Sequence, residues 1–316
     1  MTDRLIIMPI GLAAGLWLHA PLSASEPKLF DVQVVRNVAY HSAPVFDDVR
    51  HRLDLYLPKG QKDFPVLFMV HGGAWIQGDK NHLGMYNALG RTFARHGIGM
   101  VSPNYRLSPQ VQHPEHVRDI ARAFAWVHKH IGKHGGLPGE IFVAGHSAGG
   151  HLVALLSTDE CYLKEHGLGL KDIRGAMPIS GVYAIPNDPV FDVAFGKNMQ
   201  MRAQASPLSH VRAGAPPFLV IYADSDLPAC EGPCAEAFCR ALRDQKCAAV
   251  SFECKPRNHA SILLNATSDT DPVFRALLSF ITTQVALDRL GEPGGDGLTC
   301  LQSCIARYAA NCGNRQ

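Results

Sequence analysis

The sequence lacks an excess of charge of either sign. Its 30 basic residues face 28 acidic ones, a formal net charge of +2 over 316 residues. That balance gives no sign of a basic surface for nucleic acid or for acidic lipid, and neither partner is expected. Charged residues make up only 18% and hydrophobic ones 47%. A disordered chain has the opposite balance, so this one folds around a core. No internal repeat recurs, which excludes repeat arrays. No Cys-x2-Cys pair occurs among the 9 cysteines. That speaks against a structural zinc site, and no metal or other cofactor is expected.

The length allows one or two domains, and α/β folds often exceed 250 residues as one. Residues 1–25 read as a signal peptide. Arg4 precedes an apolar run from Leu5 to Leu18, and the small residues Ser23, Ala24 and Ser25 follow. The run is too short to span a bilayer comfortably. No cysteine follows it that could carry a lipid. A secreted or periplasmic protein without a membrane anchor in its mature form is therefore expected. The cysteines fit that compartment. Eight of them lie after position 229, the last being Cys300, Cys304 and Cys312. Disulfides are expected, with at least one thiol left over because the count is odd.

Strand-like and helix-like segments alternate along the chain. Val32–Tyr40, Arg52–Leu57, Pro65–Val70, Ile98–Ser102, Ile141–Ala144, Gly175–Ile179, Phe218–Tyr222 and Ala249–Cys254 read as strands. Helices are expected over Tyr86–His96, from Pro114 onward, after Ser147, over Glu231–Leu242 and over Pro272–Leu287. Val117, Ile120, Phe124, Val127 and Ile131 recur at helical spacing and give one apolar face. The alternation predicts an α/β fold, with a doubly wound, mostly parallel sheet. The main domain is expected over 26–290, with a small cap over 184–215. A glycine-rich linker and a cysteine-bearing tail follow over 291–316. Val190, Phe191, Val193, Phe195, Met199 and Met201 in the cap suit either an apolar substrate or packing onto the body.

The stretch Val143 to Gly150, VAGHSAGG, carries the chemistry. A strand that turns sharply into a helix presents one side chain at its apex, and the crowded backbone favours glycine on either side. Gly145 and Gly149 flank Ser147 in this way, the pattern of a nucleophile elbow. A serine hydroxyl needs a base and needs donors for the oxyanion. His71-Gly72-Gly73-Ala74-Trp75 follows a buried strand. The N–H groups of Gly72 or Gly73, with that of Ala148, are candidate oxyanion donors. Catalytic groups in open α/β sheets lie beyond the carboxyl ends of strands. His259 meets that condition late in the chain and is the candidate base. Asp224 and Asp226 both follow a strand and are candidates for the orienting acid, Asp226 the favoured one. Whichever is not used is expected to bond its own turn backbone. Trp75 and His146 are candidate substrate-binding residues.

These residues match a family pattern. HGGAW, GDK over 78–80, NYR over 104–106 and GHSAGG resemble the α/β-hydrolase fold. The match is closest to its esterase/lipase group of carboxylesterases, feruloyl-esterase-like and kynurenine-formamidase-like hydrolases. SGVY over 180–183, SPLSHV over 206–211 and NHASIL over 258–263 fit as well, and the resemblance spans roughly His51 to Leu287. In that group the acid ends a Gly-x-x-Asp pattern. Ala223 stands here in the glycine position and Asp226 in the acidic one. Ala74 replaces the third glycine of the hormone-sensitive-lipase branch, which sets the chain outside that branch. The resemblance implies a serine esterase with Ser147 as nucleophile, His259 as base and Asp226 as acid. It implies a small-molecule ester as substrate and no cofactor. An amide-type hydrolase on the same residues is the first alternative. A non-catalytic binding protein on the same scaffold is the second.

Overall fold

A computed structural model describes residues 28–42 and 47–290. The leader over 1–25, the linker and the tail lie outside the described residues. Eight strands form one sheet: β1 (Val32–Ala39), β2 (Arg52–Pro58), β3 (Phe64–Val70), β4 (Gly99–Pro103), β5 (Gly136–His146), β6 (Gly175–Ile179), β7 (Phe218–Ser225) and β8 (Ala249–Asn258). Their order is β1-β2-β4-β3-β5-β6-β7-β8. β2 runs antiparallel to both its neighbours, and every pair from β4 to β8 is parallel.

The helices are α1 (Met85–Arg95), α2 (Glu115–His130), α3 (Ala148–Leu156), α4 (Cys161–Lys164), α5 (Asp192–Phe195), α6 (Met199–Gln204), α7 (Gly232–Asp244), α8 (Ser261–Asn265) and α9 (Pro272–Leu290). They cover both faces of the sheet. That double cover explains why β3 reads as an unbroken apolar run. Val66, Phe68 and Val70 join one core cluster with α2 and α3. Leu67 and Met69 join the other, with α1 and α9. Phe68 meets Phe124 of α2 edge-on at 5.9 Å, and Phe142 meets Phe280 of α9 at 6.2 Å. Val117, Ile120, Phe124, Val127 and Ile131 are all fully buried, as their spacing predicts.

β5 begins at Gly136, well before its expected start at Ile141, and β7 and β8 run furthest past their expected ends. β7 continues to Ser225 and β8 to Asn258, because Ser225 pairs with Asn258 after a register shift. The Asp224 carboxylate accepts the Arg257 N–H at 2.7 Å across the same two strands. Asp224 therefore ties β7 to β8 rather than capping its own turn.

Residues 184–215 form short helical turns above β6. Arg202 holds them from within. Its guanidinium is buried and donates to the carbonyls of Gly196 (2.9 Å), Asp188 (3.2 Å) and Pro186, and pairs with Asp192. The apolar residues of this segment divide in two. Phe191 and Phe195 are buried against the body, whereas Val190, Val193 and Met199 are exposed. No disulfide joins Cys161, Cys230, Cys234, Cys239 or Cys247. Cys300, Cys304 and Cys312 lie outside the described residues.

Candidate active site

Ser147 stands between β5 and α3 with φ 57° and ψ −121°, a conformation that strains any residue with a side chain. Two bonds hold it there. Its N–H donates to the Ile179 carbonyl at 2.9 Å, and its own carbonyl accepts the His151 N–H at 2.9 Å. The flanking glycines are required by backbone, not by flexible side chains. A Cβ on Gly145 would sit 2.3 Å from the Gly149 carbonyl oxygen. A Cβ on Gly149 would sit 2.2 Å from that of Val70. The elbow is therefore locked against β3 at the point where the HGG loop begins.

The tertiary fold brings Ser147, Asp226 and His259 together from three different strand ends. His259 Nε2 lies 2.9 Å from Ser147 Oγ, and His259 Nδ1 lies 2.6 Å from Asp226 Oδ1. The imidazole is 17% exposed and the carboxylate not at all. Asp226 uses all its acceptor capacity. Oδ1 also accepts the Leu227 N–H at 2.9 Å. Oδ2 accepts the Ser180 hydroxyl at 2.6 Å and the Ala223 N–H at 3.1 Å. Burial pushes the Asp226 carboxyl up, but the bonds from His259, Ser180, Ala223 and Leu227 together outweigh it. The net shift is downward, so the carboxylate stays ionised. Asp224 points away, to Arg257, and does not reach His259's bonded side. The His259 turn is braced by Asn258, whose Oδ1 accepts the N–H groups of Ala260 (3.1 Å) and Ser261 (2.9 Å).

The HGG loop is scaffolded from below. His71 is buried and stacks on Tyr105 at 4.4 Å. Its Nδ1–H donates to the Gly72 carbonyl at 2.8 Å. Burial lowers its pKa to about 4, so it is neutral. The Gly72 N–H donates to Tyr86 Oη at 3.0 Å and is thereby occupied. The N–H groups of Gly73 and Ala148 form no hydrogen bond among the described residues. Of the three expected donors, Gly73 and Ala148 are thus open to a ligand and Gly72 is not. Gly73 has φ +119°, a value glycine adopts freely, and a Cβ there would sit 2.1 Å from the Gln77 carbonyl oxygen.

Trp75 and His146, the expected substrate contacts, both make bracing bonds, and His146 remains partly exposed beside Ser147. Trp75 is 5% exposed and packs edge-on against Phe195 at 4.8 Å. Its Nε1–H donates to His151 Nδ1 at 3.2 Å, and His151 Nε2–H donates to the Ala205 carbonyl at 2.7 Å. This chain of bonds joins the HGG loop, α3 and the segment 184–215. His146 Nε2–H donates to the His259 carbonyl at 2.7 Å and so braces the turn that carries the imidazole. Burial, then the neighbouring His259, lowers the His146 pKa to about 4. His151, which flanks the elbow in sequence, is expected only to shape or line it, and the structure has it join Trp75 to Ala205. Sequence reasoning gives no role to Ser180 or Tyr86. Ser180 follows the end of β6, where the strand-end rule points. Nothing local marks Tyr86.

The BD-FAE family model matches residues 53–167. Esterase LipQ of Mycobacterium tuberculosis is 35% identical over 234 residues, covering 69% of this chain and 55% of the relative. The probable carboxylic ester hydrolase LipM of the same organism is 36% identical over 179 residues, covering 51% and 41%. This chain thus spans about half the length of the curated relatives it matches. Among solved structures, a truncated form of a carbohydrate esterase from gut microbiota superposes with a TM-score of 0.69. It is 22% identical and covers 82% of this chain and 98% of that one. With its eight-stranded sheet and its elbow serine, this chain belongs to the esterase/lipase family of the α/β-hydrolase fold.

Proposed function

We propose that this protein hydrolyses carboxylic esters of small or medium acyl groups through an acyl-enzyme formed on Ser147. The observation that carries the reading is the line of two bonds from Ser147 Oγ through the His259 imidazole to the Asp226 carboxylate. The ionised Asp226 carboxylate can only accept, so it holds the imidazole with its proton on Nδ1 and leaves Nε2 free to take one. Ser147 attacks the ester carbonyl as His259 removes its proton. The imidazolium that forms is stabilised by the buried carboxylate. The N–H groups of Gly73 and Ala148 receive the oxyanion. His259 then protonates the leaving alcohol, and water repeats the cycle on the acyl-enzyme. The names of the relatives support an ester as the substrate. Export, read from the leader-like residues 1–25, belongs to the same proposal.

Two measurements test it. Short p-nitrophenyl esters should turn over, and Ser147→Ala should lower kcat by roughly 10⁴-fold or more while the fold persists. A Ser147→Ala variant that keeps most of its rate would falsify the assignment. Comparison of kcat/KM for acyl esters and for N-formyl aromatic amines sets the ester reading against the amide one, and a clear amide preference would overturn it.

A further inference from the structure

Cys230 lies in the turn between Asp226 and α7, and no step of the hydrolysis uses it. It is 4% exposed, and its N–H donates to the Leu227 carbonyl at 3.0 Å, which holds the turn closed beneath the carboxylate. One ligand atom from each of Asp226, Cys230 and His259 lies within 4.8 Å of the other two. A carboxylate oxygen, a sulfur and an imidazole nitrogen are donors that Zn²⁺ accepts in three-ligand sites with an open fourth position. Metal–ligand bonds of about 2.0–2.3 Å place neighbouring donors of a tetrahedral ion roughly 3.3–3.7 Å apart. The cluster reaches that spacing if the sulfur closes by about an ångström and the short His259–Asp226 contact opens by a similar amount.

We propose that Asp226, Cys230 and His259 form an inhibitory site for a thiophilic divalent cation of the Zn²⁺ or Cd²⁺ class. The proton balance explains the inhibition. Cys230 gives its thiol proton to solvent as its sulfur takes the metal. His259 binds the metal through Nδ1, and the proton held there moves to Nε2. An imidazole with its proton on Nε2 cannot accept one from Ser147, and Asp226 no longer orients it. Hard cations such as Mg²⁺ have little affinity for a thiolate, so the site selects soft or borderline ions. Burial, followed by the charge of Asp226, pushes the free thiol up to about 12. The cation must displace that proton, so binding weakens as pH falls. The same burial keeps the metal-free thiol unreactive towards oxidants.

Inhibition rests on the hydrolase reading, but binding does not, and the experiment separates them. The full chain is titrated with Cd²⁺ and followed by its thiolate-to-metal charge-transfer absorption. Zn²⁺ inhibition of p-nitrophenyl acetate hydrolysis is measured alongside. One tight equivalent of Cd²⁺ is expected, retained in Ser147→Ala and Cys234→Ala and lost in Cys230→Ala. Cys230→Ala should also raise the half-inhibitory Zn²⁺ concentration by at least about 10-fold. Cys230→Ser, which nearly keeps the side-chain volume, should do the same. Either Cys230 variant inhibited by Zn²⁺ as strongly as the parent, or keeping the tight Cd²⁺ band, overturns the proposal. Tight Cd²⁺ binding in a parent chain that turns over no ester supports the site and sinks only the hydrolase reading.

Discussion

The Ser180 hydroxyl donates to Asp226 Oδ2 at 2.6 Å, on the side of the carboxylate opposite His259. Ser180 is fully buried and its own N–H is bonded to the Ile221 carbonyl at 2.8 Å. It is thus a fixed donor that orients the acid and favours its ionised form. A hydrogen bond to a charged group contributes about 1.5–3 kcal/mol. Ser180→Ala should therefore lower kcat by roughly 10-fold or more with KM little changed, and Ser180→Thr should restore part of the loss. Steady-state kinetics of the two variants checks this, and a Ser180→Ala enzyme at full rate refutes the orienting role.

Asp224 and Asp226 should separate cleanly. Asp226→Asn removes the carboxylate that holds the His259 tautomer, and kcat should fall by about 10⁴-fold. Asp224→Asn only weakens the bond between β7 and Arg257. It should cost less than about 10-fold in kcat and show its effect in stability instead. Equal losses in the two variants would mean that Asp224 also acts on the imidazole.

Trp75→Phe keeps the aromatic packing and deletes only the donor to His151. The Nδ1 atom of His151 is then buried without a partner, which costs about 1–3 kcal/mol. Thermal unfolding should register that loss, while KM for short esters stays within about twofold of the parent. A large change in KM with unchanged stability would instead make Trp75 a substrate contact.

Acid should destabilise the protein well above the carboxylate range. Burial holds His71, His113, His116 and His146 at about 4 and His151 at about 3. The unfolded chain titrates these residues near 6.5, so between that pH and about 4 it binds more protons than the folded chain. Their contribution is complete above about pH 6.5 and is lost as pH falls through that window. Urea midpoints should be level above about pH 7 and drop steadily below 6.5. A midpoint constant down to pH ~4.5 would contradict neutral burial of these rings.

Much of this was legible in the sequence, for physical reasons that differ by element. The buried strand β3 and the apolar stripe of α2 follow from residue spacing, because each needs only its own side chains to state which face is inside. The elbow was legible because only glycine tolerates the carbonyl oxygens of Gly149 and Val70 at the positions of Gly145 and Gly149. Chain order and the strand-end rule pointed to His259, and family resemblance favoured Asp226.

What only the tertiary structure decided was which atoms remain available. Gly72 and Gly73 are alike in sequence, yet Tyr86 takes the N–H of one and leaves the other open. Asp224 and Asp226 are two residues apart, but strand pairing directs one to Arg257 and the turn after β7 directs the other to His259. Trp75 and His146 became braces because Phe195, His151 and the His259 carbonyl came from distant segments to meet them. Hydrogen-bond occupancy and burial depend on partners 14 to 113 positions away in the chain, and no local pattern of residues records them.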